Sequence, residues 1–372
     1  MSGVPFVDFR ARLQAVRPEV DAAIARVLDS GWFILGPEVE AFETELAQAL
    51  GAREAVAVAN GTEALQLALT AAGVGPGDEV VTTSLSAAFT GLAVLSVGAR
   101  PVFVDVEPET LTIDPDAAAA ALTPRTRAIL PVHLYGHPAE TEPLVRLARD
   151  RGLALVEDAC QAHGALYRGQ PVGTLGGKAA LGALSFYPTK NLGGLGDGGA
   201  VLVGDPEVAS RLRQLRNGGQ SDRYRHELPG INSRLDELQA AVLRVGLSHL
   251  PAWTARRREL AAFYGRELQG TGLGLPGERD HVRAVHHLYV VRHPRRDALC
   301  AALRERGIGT LIHYPIPLHL QPAFAAPENV PGTRPIVEAA AKQILSLPLY
   351  PELTDAQAAA VVDAVKGAVA GI

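Results

Sequence analysis

The chain has 372 residues, a net charge of −5 and a pI near 6.1, with 47% hydrophobic and 20% charged residues. That length suits one large domain plus a smaller one, and the composition excludes disordered, collagenous and fibrous classes. The acidic balance argues against a general nucleic-acid binder, which would carry a basic face.

Helical spacing is read at residues 18–28 and 38–50, the second with Pro37 near its start and Gly51 just past its end. Residues 55–59 form a short strand, and Gly61-Thr62-Glu63 opens a helix through Ala72. The turn cluster Gly75-Pro76-Gly77-Asp78 precedes a strand at 79–83. Apolar runs of strand length follow at 101–106, 128–131 and 153–156, separated by helical patterns at 87–97, 116–122 and 142–150. This alternation, which lasts to about residue 245, predicts an α/β fold with a mainly parallel sheet covered on both faces. Such sheets bind ligands beyond the carboxyl ends of their strands.

After about residue 250 the pattern changes to a helix at 253–268, a Gly/Pro/Arg-rich loop at 270–283, a strand at 287–292, a helix at 297–306 and a Pro-rich stretch at 315–335. Arg256, Arg257 and Arg258, beside Glu259, read as a solvated helix face. The expected division is a large domain of residues 1–248 and a smaller α+β domain of residues 249–372.

Cys160 and Cys300 are too few for a disulfide scaffold and lack CxxC spacing. The N-terminus has no basic segment leading into an apolar run, and the Ala-rich stretches from Ala117 and Ala358 are too short to span a bilayer. The expectation is a cytoplasmic protein without membrane contact.

Two glycine patterns mislead. Residues 194–199 match G-x-G-x-x-G by letter, but a strand-like run at 200–203 follows them, where a dinucleotide site needs a helix. Gly176-Gly177-Lys178 lacks both the first glycine and the Ser or Thr of a P-loop.

The chemistry points elsewhere. The strand at 153–156 delivers Glu157-Asp158-Ala159-Cys160-Gln161-Ala162-His163-Gly164, and a later turn carries Ser185-Phe186-Tyr187-Pro188-Thr189-Lys190-Asn191-Leu192-Gly193. A carboxylate at a strand end and a lysine on a later loop suit pyridoxal phosphate. The lysine holds the cofactor as a Schiff base, and the carboxylate keeps the pyridine nitrogen protonated. Asn60-Gly61-Thr62, after a strand and at a helix start, offers N–H groups to the phosphate. Singly, Asp158 reads equally as a helix N-cap, Lys190 as an exposed loop lysine, and Gly61-Thr62 as a plain turn. Jointly, in this order, the cofactor reading leads. No metal site is expected.

Motifs along nearly the whole chain carry a resemblance. They include residues 4–8, Gly36-Pro37-Glu38-Val39, Asn60-Gly61-Thr62-Glu63-Ala64-Leu65, Glu157-Asp158-Ala159, residues 185–192, Gly196-Asp197-Gly198-Gly199-Ala200, residues 232–241 and Ser346-Leu347-Pro348. On these the sequence resembles the DegT/DnrJ/EryC1/StrS sugar aminotransferases of the aspartate-aminotransferase superfamily. The resemblance implies the PLP-dependent transferase fold type I, with a seven-stranded, mainly parallel sheet in the large domain. It implies Lys190 as the Schiff-base lysine, Asp158 at the pyridinium nitrogen and Gln161 near the phenolic oxygen. Gly61, Thr62 and Ser185 would bind the phosphate. Asn232 would reach the phosphate of a neighbouring subunit's cofactor, making a homodimer with shared active sites; its plainer reading is a loop residue capping a helix from Leu235. Many family members place a stacking aromatic where Ala87 stands here; Phe89, the nearest aromatic, is expected to stack on the cofactor ring instead, its plainer reading being a core residue.

The expected reaction is amino transfer, from glutamate, to a nucleotide-linked keto sugar in two half-reactions, with the freed Lys190 amine as proton carrier. The string Gln161-Ala162-His163-Gly164-Ala165 resembles members acting on 3-keto sugars, which favours a dTDP-3-keto-6-deoxyhexose. His163 reads almost equally as a core histidine. Residues 309–315 with His313, followed by His319, have the same character. Tyr224, His226 and Arg234, with Arg223 and Arg225, are candidates for the nucleotide diphosphate. The alternatives are a 4-keto-sugar or inositol aminotransferase, or a cofactor-binding regulator without turnover.

Overall fold

The computed structural model describes residues 3–372. Seven short strands form the central sheet: β1 (Glu54–Val58), β2 (Glu79–Thr83), β3 (Arg100–Val104), β4 (Thr126–Leu130), β5 (Ala154–Asp158), β6 (Leu181–Ser185) and β7 (Gly199–Val203). Their order across the sheet is β1-β7-β6-β5-β4-β2-β3. Neighbours pair in parallel from β6 to β3, while β7 runs antiparallel to both β1 and β6. The expected α/β fold with a mainly parallel seven-stranded sheet is therefore present.

The sheet is apolar on both faces, because alternate residues of each strand enter different cores. Val56 and Val58 of β1 join a cluster with α3 (Gly61–Ala71), α4 (Ala88–Ser96) and α7 (Pro206–Leu215). Ala55 and Ala57 face the other way, toward α2 (Pro37–Ala49) and the first half of α8 (Glu237–Glu267). On that second face, α5 (Pro115–Ala120) and α6 (Thr141–Arg151) cover Val81, Ile129 and Leu155. Helix α1 (Phe9–Ser30) packs along α8. The Glu237 carboxylate accepts from the N–H groups of Gly36, Glu38 and Val39, so α8 caps the start of α2.

The rest of the chain builds a second core around the antiparallel pair β8 (Tyr289–Arg292) and β9 (Ile344–Leu347), with α9 (Arg296–Glu305), α10 (Pro335–Gln343) and α11 (Asp355–Gly371). Leu260 and Tyr264 of α8 belong to this core, as does Val4, whose segment bridges to Ile308. Helix α8 thus passes without a break through residues 248 and 249.

Several elements differ from expectation. Strand β6 was not read, because Gly182 interrupts its apolar run; that glycine lies against the backbone of Gly173, whose Cα is 2.4 Å from where a Cβ would stand. Helix α8 begins far earlier than residue 253, with Asp236 at its N-cap position. Arg257 is no part of a solvated face: it is buried and donates to the carbonyls of His286, His287 and Leu349. Arg256 and Arg258 do lie partly exposed.

Candidate active site

The carboxyl ends of β1, β5 and β6 bring together what the chain separates by more than a hundred residues. Helix α3 starts directly after β1, with the Asn60 side chain accepting from the Glu63 N–H. Its first turn lies across the end of β6: a Cβ on Gly61 would stand 2.6 Å from the Ser185 Cβ and 3.1 Å from the Cys160 Sγ. Only glycine fits there. The N–H groups of the first turn and the Ser185 hydroxyl thus frame one small polar cradle at a positive helix end.

Asp158 is the last residue of β5 and is 5% exposed. Its Oδ2 accepts from the Thr90 hydroxyl at 2.8 Å and its Oδ1 from the Cys160 N–H at 3.2 Å. Lys190 is half-buried on the loop after β6, its N–H donating to the Tyr187 carbonyl at 2.8 Å. Burial lowers its amine pKa from the ordinary value, opposed by the nearby Cys160 and Asp158.

Gln161 ties two parts of the chain together. Its Oε1 accepts from the Tyr135 N–H at 2.7 Å, and its Nε2 donates to the Tyr314 hydroxyl at 3.1 Å. Tyr135 sits at φ 60°, a left-handed conformation unusual for its type, and its hydroxyl donates to the His313 carbonyl. Burial pushes the Tyr314 hydroxyl up to about 12, so it stays protonated. Beneath the site, Glu157 accepts from the N–H groups of Gly173 and Leu175 and meets His133 Nε2 at 3.1 Å. His133 Nδ1 accepts from the Ala139 N–H, which places the ring proton on Nε2.

The histidines fall into different settings. His163 is 1% exposed, tilted against the Phe186 ring, and neither ring nitrogen has a hydrogen-bond partner; burial lowers its pKa to about 3. His313 Nδ1 meets the Ser346 hydroxyl at 2.8 Å, and burial lowers its pKa to about 4. His319 is buried between the Ser84 hydroxyl and the Glu338 carboxylate, fastening the C-terminal part to the end of β2.

The remaining candidates lie apart. Phe89, in the first turn of α4, is 61% exposed, and Ala87 is the N-cap of that helix. Tyr224 sits at the tip of an exposed hairpin formed by Gln220–Asp222 and Arg225–His226, with His226 Nδ1 against the Gly218 carbonyl. Arg234 donates to the Asn217 side chain, and exposed Asn232 is bridged to Asn217 through the backbone. Asn232 does not cap α8. Sequence reading missed Thr90, Tyr135, Tyr314 and Arg12, whose partners are all distant in the chain.

The family comparison matches residues 14–366 to the DegT/DnrJ/EryC1/StrS aminotransferase family. The chain belongs to that family. Among relatives, it is 52% identical to the dTDP-3-amino-3,4,6-trideoxy-alpha-D-glucose transaminase of Streptomyces venezuelae, over 98% of this chain and 95% of that protein. It is 51% identical to the erythromycin biosynthesis sensory transduction protein EryC1 of Saccharopolyspora erythraea, over 94% and 95%. Among solved structures, S. venezuelae DesV in complex with a ketimine intermediate superposes with a TM-score of 0.97 at 52% identity, covering 99% of both chains. Members of the family are PLP-dependent aminotransferases, and the fold here is theirs. Among the described residues, no helix is long and apolar enough to cross a membrane, and no cluster of His, Cys, Asp or Glu is arranged to hold a metal ion.

Proposed function

We propose that the chain binds pyridoxal phosphate between Asp158 and Lys190 and transfers an amino group from glutamate to a dTDP-linked 3-keto-6-deoxyhexose. The observation that carries this reading is the Gly61–Ser185 approach, a cradle that any Cβ would fill, lying beside a buried carboxylate and a half-buried lysine. The residues present fit the cofactor. Gly61, Thr62 and Ser185 hold the phosphate. Asp158, oriented by Thr90 and the Cys160 N–H, keeps the ring nitrogen protonated. Gln161 sits beside the phenolic oxygen, itself fixed by Tyr135 and Tyr314.

When bound, pyridoxal phosphate supplies an aldehyde that captures amines and a ring that accepts electrons. Lys190 would hold the cofactor, and its freed amine would carry a proton from the donor's α-carbon to the cofactor's aldehyde carbon; burial favours the neutral form this requires. The exposed hairpin with Tyr224 and His226, and Arg234 behind it, supplies cations and a ring to the nucleotide diphosphate. His313, only partly buried beside Tyr314, is the histidine that would meet the sugar, whereas His163 and His319 are enclosed in the protein.

A homodimer is part of the reading. Trp32 is 57% exposed, with Phe33, Ile34, Tyr187 and Leu195 also exposed. The Phe33 carbonyl accepts from the Glu237 N–H and the Leu195 N–H donates to the Gln239 side chain, so both segments meet at the start of α8, a few residues after Asn232 in the chain. A patch of this kind marks an interaction surface. A second copy seated there would bring Asn232 toward the neighbour's phosphate. Free thiols at Cys160 and Cys300 suit a cytoplasmic location.

The relatedness to transaminases of 3-amino sugars favours a 3-keto substrate. The experiment is to load the protein with pyridoxal phosphate, add glutamate and a dTDP-3-keto-6-deoxyhexose, and follow 2-oxoglutarate and the amino sugar by mass. A visible band lost in K190A, bleaching with glutamate, and amino-sugar formation support the reading. Binding without turnover would move the protein to the regulators, and turnover of 4-keto sugars alone would overturn the C3 assignment.

A further inference from the structure

Arg12 lies in the first turn of α1, yet its side chain ends in the loop that carries Lys190. Nη1 donates to the Lys190 carbonyl at 3.0 Å and the Pro188 carbonyl at 3.3 Å, and Nη2 to the Asn191 carbonyl at 3.0 Å. The guanidinium lies 4.7 Å from the centroid of the Trp253 ring of α8. Trp253 in turn stacks on His249, which meets Glu19 of α1 at 3.0 Å. One cation therefore gathers the carbonyls on both sides of Lys190 and is itself held between two helices.

The loop needs such a clamp. It turns tightly, with the Lys190 N–H on the Tyr187 carbonyl, the Gly194 N–H on the Phe186 carbonyl, and no room at Gly193, where a Cβ would stand 2.5 Å from the Pro188 oxygen. That geometry turns several carbonyls to one side, away from any sheet partner, and buried carbonyls require donors. A guanidinium offers five N–H groups in a rigid fork; a lysine ammonium is a single point and cannot span three acceptors in the same way.

We propose that Arg12 is a positioning residue for Lys190: by fixing the backbone at residues 188, 190 and 191 it holds the lysine amine in register with the end of β5. This rests on the reading of Lys190 as the cofactor lysine. Arg12 touches neither substrate nor cofactor; it acts through the loop.

The test uses the full-length protein stripped of cofactor. Pyridoxal phosphate is added, fixed with borohydride at successive times, and the Lys190 peptide is weighed; kcat and KM for the nucleotide sugar are measured on the reloaded protein. In R12A, fixation at Lys190 and kcat both fall by about tenfold to a hundredfold, as expected for displacement of a reacting group by an ångström, while KM stays near the wild-type value. Millimolar ethylguanidinium restores the R12A fixation rate, and R12K does not match the wild type. R296A is the control for lost stability, because Arg296 clamps the Ala341 and Ile344 carbonyls far along the chain; it lowers the melting temperature without slowing fixation. If R12A fixes the cofactor at the wild-type rate, or if R296A slows fixation equally, the positioning role is wrong. If the wild type itself fixes nothing at Lys190, the reading of Lys190 fails first.

Discussion

Replacing Gly61 by alanine tests the cradle most directly. The new Cβ would stand 2.6 Å from the Ser185 Cβ, while non-bonded carbons settle at about 3.5 Å, so the start of α3 must withdraw from β6 by about 1 Å. Overpacking of this size costs about 1–3 kcal/mol of stability. The same withdrawal carries the first-turn N–H groups out of hydrogen-bond range of the phosphate, and a bond to a charged group contributes about 1.5–3 kcal/mol. Losing one such bond and weakening its neighbour gives about 3 kcal/mol, roughly a hundredfold in the dissociation constant for pyridoxal phosphate. Titration followed by visible absorbance reads the affinity, and thermal melts of the cofactor-free protein read the strain. The colliding atom is the Ser185 Cβ, so G61A/S185G should recover most of the melting temperature, though not the affinity that the Ser185 hydroxyl supplies. If G61A binds the cofactor as tightly as the wild type, or if S185G brings no recovery, the cradle is not built as described.

The proposed homodimer with shared sites predicts complementation: K190A and N232A are each inactive or weak, yet mixed dimers regain activity at the one site that keeps both residues, up to half the wild-type rate per dimer. Co-expression with two affinity tags and assay of the doubly tagged species checks this. T90V leaves the Asp158 Oδ2 without its buried donor, at about 1–3 kcal/mol, and cofactor retention on dialysis should fall with the melting temperature. His163 predicts a pH effect. Its folded pKa is about 3 against 6.5 unfolded, so the unfolded state binds more protons between those values. Stability is therefore full above pH 6.5 and declines as pH falls toward 3, by up to about 1.4 kcal/mol per unit for this one group. Urea melts of H163L between pH 7 and 5 should show a shallower decline than the wild type; an equal slope would place the proton elsewhere.

What could be read from the sequence followed from how local each feature is. Asp158 and Gly61-Thr62 could be picked out as candidates because each stands at or just past a strand end, and Lys190 because it lies on the polar, glycine-rich turn that follows Ser185. The same holds for the strand at 79–83, whose bounds are those of β2. Strand β6 was hidden by Gly182, which serves a contact with Gly173 that no local pattern announces. Arg12, Tyr135 and Tyr314 were invisible for the same reason: each acts through partners between 26 and 179 residues away. Arg257 was misread because three consecutive arginines resemble a wet surface, and only the packing reveals that one of them points inward at three carbonyls.

The course of α8 bears on how such a chain can be recombined. Its 31 residues form a rod of about 46 Å. Glu237 at one end caps α2, Trp253 in the middle backs the Lys190 loop, and Leu260 and Tyr264 near the other end sit in the second core. A chimaera joined at residue 248 would splice one helix from two parents and set Trp253 of one against Arg12 of the other, beside the Lys190 loop. A crossover beyond Glu267 keeps the rod and that contact whole, and moves the mismatch to Leu260 and Tyr264, which must then pack into the other parent's core.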